Sequence, residues 1–247
     1  MPEHGVRVLD AARPDKAPAR IAGMFDAIAP RYDLLNHVLS AGLDRRWRDR
    51  AVDELGLRAG DRVLDLCTGT GDLAIATVRR APAASVIGVD FAGAMLHRGL
   101  VKVRDLGLEG AIRLVRGDAT CIPVTSESCD AATIAFGIRN VAEPERALRE
   151  LARVLRPGSR LAILEFGQPR IPGVRTLYGW YFRCLLPAVG RLVSKHQSAY
   201  SYLPASVGTF PSPREFAALM ERAGFASVCV QPLTFGIACL HRGEKPR

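Results

Sequence analysis

An apolar segment passes directly into a glycine-rich turn and then a helical pattern at Val63-Leu64-Asp65-Leu66-Cys67-Thr68-Gly69-Thr70-Gly71-Asp72-Leu73. Glycine lets a backbone turn tightly and approach a ligand closely, so Gly69 and Gly71 predict a strand, a ligand-facing turn and a helix in that order. Such a turn belongs at the carboxyl end of a strand in an open α/β sheet, where ligands bind.

The rest of the sequence keeps that rhythm. Short apolar runs rich in β-branched residues alternate with helix-period segments, which predicts an α/β fold with a mostly parallel sheet and helices on both faces. Strands are expected at Arg62–Leu66, Ser85–Asp90, Ile112–Arg116, Ala131–Ala135, Arg160–Phe166, Ala226–Pro232 and Gly236–His241. Leu148, Leu151, Ala152 and Leu155 recur at helical spacing, and Arg156-Pro157-Gly158 reads as the stop signal. Residues 21–57 read as an N-terminal helical cap. Residues 167–211 form a connection far longer than an ordinary loop of about 2–6 residues, so a helical lid over a site is expected there. Residues 1–20 are polar and rich in Arg, Ala and Pro; they lack the apolar core of a secretory signal and read as a flexible tail. Residues 21–247 read as one domain.

Composition narrows the setting. The six cysteines of the 247 residues form no C-x-x-C pair and no zinc spacing, which predicts reduced thiols, no structural metal and a cytoplasmic location. The net charge of +9 suits an anionic partner, whether nucleic acid, an acidic substrate or the face of a bilayer. Arg183, Pro187 and Arg191 interrupt the longest apolar stretch, Leu177 to Val193, so no membrane span is expected. Leu177, Tyr181, Leu185 and Ala188 share one helical face there, suited either to transient contact with the inner face of a membrane or to a buried hairpin.

Two ligands compete for the turn. Gly69-x-Gly71-x-x-Ala74 satisfies a dinucleotide fingerprint, with Asp90 about 20 residues downstream as the ribose acid. A pyrophosphate, however, seeks N–H groups at a helix N-terminus and is repelled by a carboxylate beside it, and Asp65 and Asp72 flank this turn. S-adenosylmethionine carries a sulfonium and an ammonium, which an acid at the end of the first strand helps to hold. Asp118, in Arg116-Gly117-Asp118-Ala119, ends the third strand and suits the adenine amino group. Together Asp65, Asp90 and Asp118 favour the methyl donor.

These residues resemble the class I methyltransferases, whose first motif is an acid followed by three alternating glycines; here Cys67 replaces the first glycine. Three further stretches are similar to the quinone-biosynthesis C-methyltransferases: Met24-Phe25-Asp26-Ala27-Ile28-Ala29-Pro30-Arg31-Tyr32-Asp33-Leu34-Leu35-Asn36, Phe136-Gly137-Ile138-Arg139-Asn140-Val141 and Ala199-Tyr200-Ser201-Tyr202-Leu203-Pro204. The likeness runs from about residue 21 to Lys245. It implies a Rossmann-like, doubly wound sheet of seven strands with the last antiparallel, and S-adenosylmethionine as methyl donor without a metal. It implies donor contacts from Asp65, Gly69, Thr70, Gly71, Asp90, Phe91, Asp118 and Ala119. Ala135 stands where some relatives have Ser, so any contact there is through the backbone.

The acceptor implied is a polyprenylated hydroquinone, demethylmenaquinol ahead of the 2-methoxy-6-polyprenyl-1,4-benzoquinol intermediate. On that resemblance Arg139 is the candidate to stabilise a phenolate oxygen and Asn140 to orient the other ring oxygen or a water, unless Arg139 pairs with an acid such as Glu143. Tyr32 is the third catalytic candidate. Tyr200, Tyr202 and His196 are expected on the substrate, with His196 as a reserve base. A homodimer is left open. A nucleic-acid methyltransferase would suit the charge but lacks the Asn/Asp-Pro-Pro-aromatic cluster and the Pro-Cys nucleophile, so no nucleic acid is expected as partner. The remaining rivals are a donor-binding scaffold without activity and an NAD-dependent oxidoreductase.

Overall fold

The computed structural model describes residues 16–169, 171–180 and 197–247. Three helices, α1 (Pro18–Ile28), α2 (Tyr32–Leu39) and α3 (Leu43–Asp53), precede the first strand. The alternation that follows runs β1 (Arg62–Leu66), α4 (Asp72–Arg80), β2 (Ser85–Asp90), α5 (Gly93–Asp105), β3 (Ile112–Arg116), β4 (Cys129–Ala135), α6 (Pro144–Val154) and β5 (Leu155–Phe166). It is completed by α7 (Pro172–Trp180), α8 (Gln197–Thr209), α9 (Pro213–Arg222), β6 (Ala226–Leu233) and β7 (Ala238–Glu244). The seven strands lie in the order β3-β2-β1-β4-β5-β7-β6. β1 pairs in parallel with both β2 and β4, while β7 lies antiparallel between β5 and β6. The winding thus reverses direction between β1 and β4, and the crevice at that switch point is where an open α/β sheet binds its ligand.

Strand alternation sorts the core onto two faces. Leu64, Leu66, Ile134, Leu161, Ile163 and Phe216 pack on one, and Val63, Val86, Ala131, Ala162, Leu164 and Leu240 on the other. Burial of each large apolar residue is worth about 1.5–3 kcal/mol, against about 0–1 kcal/mol for an exposed ion pair, so packing holds the sheet. Helix α6 shows how: Pro144 opens it, and Ala147, Leu148, Leu151 and Val154 are buried along one stripe. Helix α9 begins with a capping box in which Ser212 and Glu215 each accept the other's backbone N–H.

Several boundaries differ from the sequence expectation. Leu155 opens β5, opposite Cys129, and does not close α6, because Val154 already completes the buried stripe. Pro157 and Gly158, read as a helix stop, lie in an irregularity of β5 where the ladder skips from Leu155 to Arg160, and Gly158 takes a φ of +80°. Thr234–Gly236 form a short 3-10 turn with Gly236 at φ +88°, which delays β7 to Ala238. Helix α1 begins at Pro18, inside the stretch read as tail. Most of the Leu177–Val193 stretch and all of His196 lie outside the described residues. Among the described residues no helix is long and apolar enough to cross a membrane.

Candidate active site

The turn after β1 is built as the glycines require. Gly69 and Gly71 adopt left-handed conformations, φ +58° and +81°, and Gly71 is the N-cap of α4. Cys67 does the same at φ +57°, a conformation that costs a residue with a Cβ but costs glycine nothing, which explains glycine as the usual occupant. Its side chain fits because position 137 has none: a Cβ on Gly137 would fall 2.3 Å from the Cys67 Cβ.

Asp65 sits buried beneath the turn. Thr68 Oγ1 donates to its Oδ2 at 2.5 Å and Thr133 Oγ1 to its Oδ1 at 3.0 Å. Burial nonetheless outweighs these bonds and pushes the carboxyl up to about 6. Asp90, at the end of β2, binds the turn itself: Gly69 N–H donates to its Oδ2 at 2.8 Å and Ala92 N–H to its Oδ1 at 2.9 Å. Burial raises this carboxyl too, against the pull of those backbone donors. Asp118 is exposed and accepts from the Thr120 N–H at 2.7 Å and its Oγ1 at 2.9 Å through one oxygen, leaving the other open.

These strand ends face a cavity of about 510 Å³, a size suited to a small-molecule site. Gly69, Asp90, Phe91, Asp118 and Ala119 line one part of its wall, and Met95 closes over Gly69. Tyr32 and Asn140 line another part, with Ala135 between the strand ends. The Asn140 Oδ1 is buried with no hydrogen-bond partner, a polar atom left for a ligand. Burial raises the Tyr32 hydroxyl above its ordinary pKa, moderated by a hydrogen bond with Asn36 and the charges of Arg139 and Arg48.

Other expected residues lie elsewhere. The Thr70 hydroxyl donates to Asp33 Oδ1 at 2.5 Å and faces a smaller adjoining recess with Asp65, Arg48 and Asp72. Gly71 lines neither space, serving as helix cap. Arg139 is buried away from both: its Nη1 donates to Glu165 Oε1 at 2.8 Å and to the Phe136 carbonyl, and the guanidinium stacks 5.3 Å from the centroid of Phe166. Glu143 pairs with Arg146 at 3.6 Å. Tyr202 has a buried hydroxyl without a partner, raised by burial near Arg139 and Glu165, but does not line the cavity. Tyr200 stands on α8, its side chain outside the described residues.

Several residues not singled out in the sequence hold the cap over the site. Asp26 Oδ1 accepts the Ala94 N–H at 2.8 Å, satisfying a free donor at the start of α5 from a distant helix. Lys102 bridges Asp33 at 2.8 Å and Asp72 at 2.5 Å, joining α2, α4 and α5. Asp26 and Asp33 lie seven residues apart inside the Met24–Asn36 motif, and Glu165 is a strand-end acid like Asp65 and Asp90; those signals were present. Lys102 gave none, since a lysine on an amphipathic helix reads as a solvated face.

The strand order and the glycine turn after β1 define a Rossmann-like α/β fold, and the family match makes the protein an S-adenosylmethionine-dependent methyltransferase. Its fold is shared with a SAM-dependent methyltransferase from Thermotoga maritima (TM-score 0.63, 19% identity, covering 91% of this chain and 99% of that one) and one from Aquifex aeolicus (TM-score 0.59, 21% identity, 80% and 89%). The cyclase SpnF shares it as well (TM-score 0.69, 17% identity, 92% and 95%), so fold by itself does not fix the reaction. The chain belongs to the ubiE/COQ5 methyltransferase family, whose model matches residues 14–245. It is 50% identical over 223 residues to demethylmenaquinone methyltransferase of Thermus thermophilus, covering 90% of this chain and all of that one. It is 49% identical over 220 residues to the ubiquinone/menaquinone biosynthesis C-methyltransferase of Syntrophotalea carbinolica, covering 89% and 92%.

Proposed function

We propose that the protein methylates a ring carbon of demethylmenaquinol to give menaquinol, with the cavity at the β1/β4 switch point as the shared seat of donor and quinol. The observation that carries this reading is Asp90, a buried acid tied to the donor turn and facing the same cavity as the unpartnered Asn140 Oδ1. The name of the Thermus relative supports the naphthoquinol over the benzoquinol.

Bound there, S-adenosylmethionine would supply an electrophilic methyl group to the electron-rich ring carbon of the quinol: the methyl–sulfur bond breaks as the carbon–carbon bond forms, S-adenosylhomocysteine leaves as a neutral thioether, and the ring proton passes to solvent. Asp90 accepts the ribose hydroxyls with the lone pairs its backbone donors leave free, and Asp118 accepts from the adenine amino group. Phe91, Met95 and Ala119 exclude water from the adenine. Asp65, when ionised, attracts the ammonium. Asn140 orients a ring oxygen, Tyr32 closes the cavity over the ring, and Arg139 acts as a fixed positive charge behind the wall. Its guanidinium is bonded to Glu165 and to the Phe136 carbonyl, so it braces the wall and does not serve as base. Most of the acceleration then comes from alignment, which supplies roughly 7–11 kcal/mol in well-oriented systems.

The test is transfer of labelled methyl from S-adenosylmethionine to reduced demethylmenaquinol and, in parallel, to the demethylated benzoquinol precursor. Labelled menaquinol, abolished in Asp90→Ala, is expected. Label in the benzoquinol alone would move the assignment to ubiquinone synthesis. Donor binding without transfer to either acceptor would sink the reading.

A further inference from the structure

The residues assigned to the donor leave one of its groups without a partner. Asp65 attracts its ammonium, Asp90 and Asp118 accept from its neutral ribose and adenine donors, and none of the three can hold its carboxylate; the acceptor develops a second oxyanion, on its ring oxygen. Each needs a cation facing the cavity. Arg139 is turned away, its nearest acid being Glu165, and Arg146, which also lines the cavity, is exposed and paired with Glu143 at 3.6 Å.

Lys16 faces the cavity. It lies two residues before α1, half-buried in the wall with Phe25, Tyr32, Gly69 and Asn140. No carboxylate of a described residue lies within ion-pair distance of its ammonium. Burial and the neighbouring Arg139 both disfavour its charge, and among the described residues the acid acting in the other direction is Glu165, which is already bonded to Arg139 at 2.8 Å. Two cations therefore share one carboxylate, leaving a surplus positive charge at a half-buried wall. Such a charge is costly unless an anion meets it, and a charge-assisted hydrogen bond to an oxyanion meets it best.

We propose that Lys16 is the oxyanion seat of this cavity, binding the carboxylate of the donor's methionine end or the phenolate oxygen of the acceptor ring. The proposal rests on the methyltransferase reading and adds a ligand-binding residue outside every motif that carries that reading.

The test measures, for the full chain and for Lys16→Met and Lys16→Arg, the calorimetric affinity for S-adenosylmethionine and for decarboxylated S-adenosylmethionine, with the steady-state KM and kcat for the quinol. If the carboxylate is the ligand, Lys16→Met weakens S-adenosylmethionine binding about 10- to 100-fold, leaves the decarboxylated form unchanged, and Lys16→Arg recovers most of the loss. If the phenolate is the ligand, both donors bind Lys16→Met as they bind wild type, while kcat/KM for the quinol falls by a similar factor and Lys16→Arg restores it. Equal weakening of both donor forms marks a structural role and overturns the proposal, as does wild-type behaviour in all three measurements. Failure of wild type itself to bind S-adenosylmethionine would instead overturn the methyltransferase reading, a result distinguishable from either.

Discussion

Glu165 holds Arg139 from two sides: its Oε1 accepts the guanidinium Nη1 at 2.8 Å and its Oε2 accepts the Arg139 backbone N–H at 3.3 Å. Both side chains are buried, at 7% and 1% exposure, so neither charge is left to water. Removing one partner strands the other, which costs about 3–5 kcal/mol for a buried pair. Arg139→Met should therefore lose about that much stability in urea unfolding, and Arg139→Met/Glu165→Leu should recover more than half of it. Activity lost in the single variant must be measured below its unfolding midpoint before it is ascribed to catalysis.

Gly137 and Cys67 are coupled by space. An added methyl at Gly137 would meet Cys67 Cβ at 2.3 Å, a contact that backbone movement must relieve. Gly137→Ala should cost about 1–3 kcal/mol by overpacking and weaken donor binding, because the displaced backbone is that of the turn. In a Cys67→Gly background the clash is gone, so the same substitution should cost less than about 1 kcal/mol. A thermal-unfolding double-mutant cycle measures the difference; additive effects would refute the coupling.

Asp65 sets a pH dependence of known sign. Its folded carboxyl titrates near 6 against 3.8 in the unfolded chain, so the folded state binds the proton more tightly. Its cost is absent below about pH 4, grows between the two values and is complete above about pH 6, where it is on the order of 1–3 kcal/mol. Asp65→Asn should thus raise the Tm of ligand-free protein at pH 7.5 and leave it nearly unchanged at pH 4. Donor affinity should move the other way: the wild type binds S-adenosylmethionine more weakly as pH falls through about 6, and Asp65→Asn binds weakly at every pH. Calorimetry across pH 5 to 8 checks the sign.

Lys102 links three helices through Asp33, Asp72 and the Thr70 hydroxyl, the last at 3.2 Å. The lysine is partly exposed, so Lys102→Met should lower global stability by only about 1 kcal/mol. That loss falls on α1 and α2, which lie farther from the sheet than α3 with its ties from Trp47 to Thr234 and from Arg48 to Asp72, so cleavage within α1 and α2 by limited proteolysis should rise about fivefold. An unchanged digestion pattern would show that packing of Phe25 and Tyr32 suffices to hold the cap.

The sheet was legible residue by residue because its information is local. Short apolar runs with β-branched residues mark β1, β2 and β3 at their observed bounds, and the glycine turn after β1 declares its backbone before any tertiary contact forms. Boundaries shifted at Leu155 and Gly236, where a neighbouring strand decides whether a residue pairs. That Asp65, Asp90 and Asp118 stand together was legible, since residues ending parallel strands must share one edge of the sheet. What one acid or base touches across the fold is a different kind of fact. That Arg139 belongs to Glu165, that Thr70 turns to Asp33, and that Lys16 faces the cavity depend on which of many nearby charges the packed helices bring within about 3 Å, and a strong pair and a solvated pair have the same sequence. The amino-acid order by itself determined the fold, the edge of the sheet that the strand-end acids share and the family; the tertiary structure alone decided which charges are paired behind the wall and which face the cavity, because pairing is fixed by distance and burial, to which spacing along the sequence gives no access.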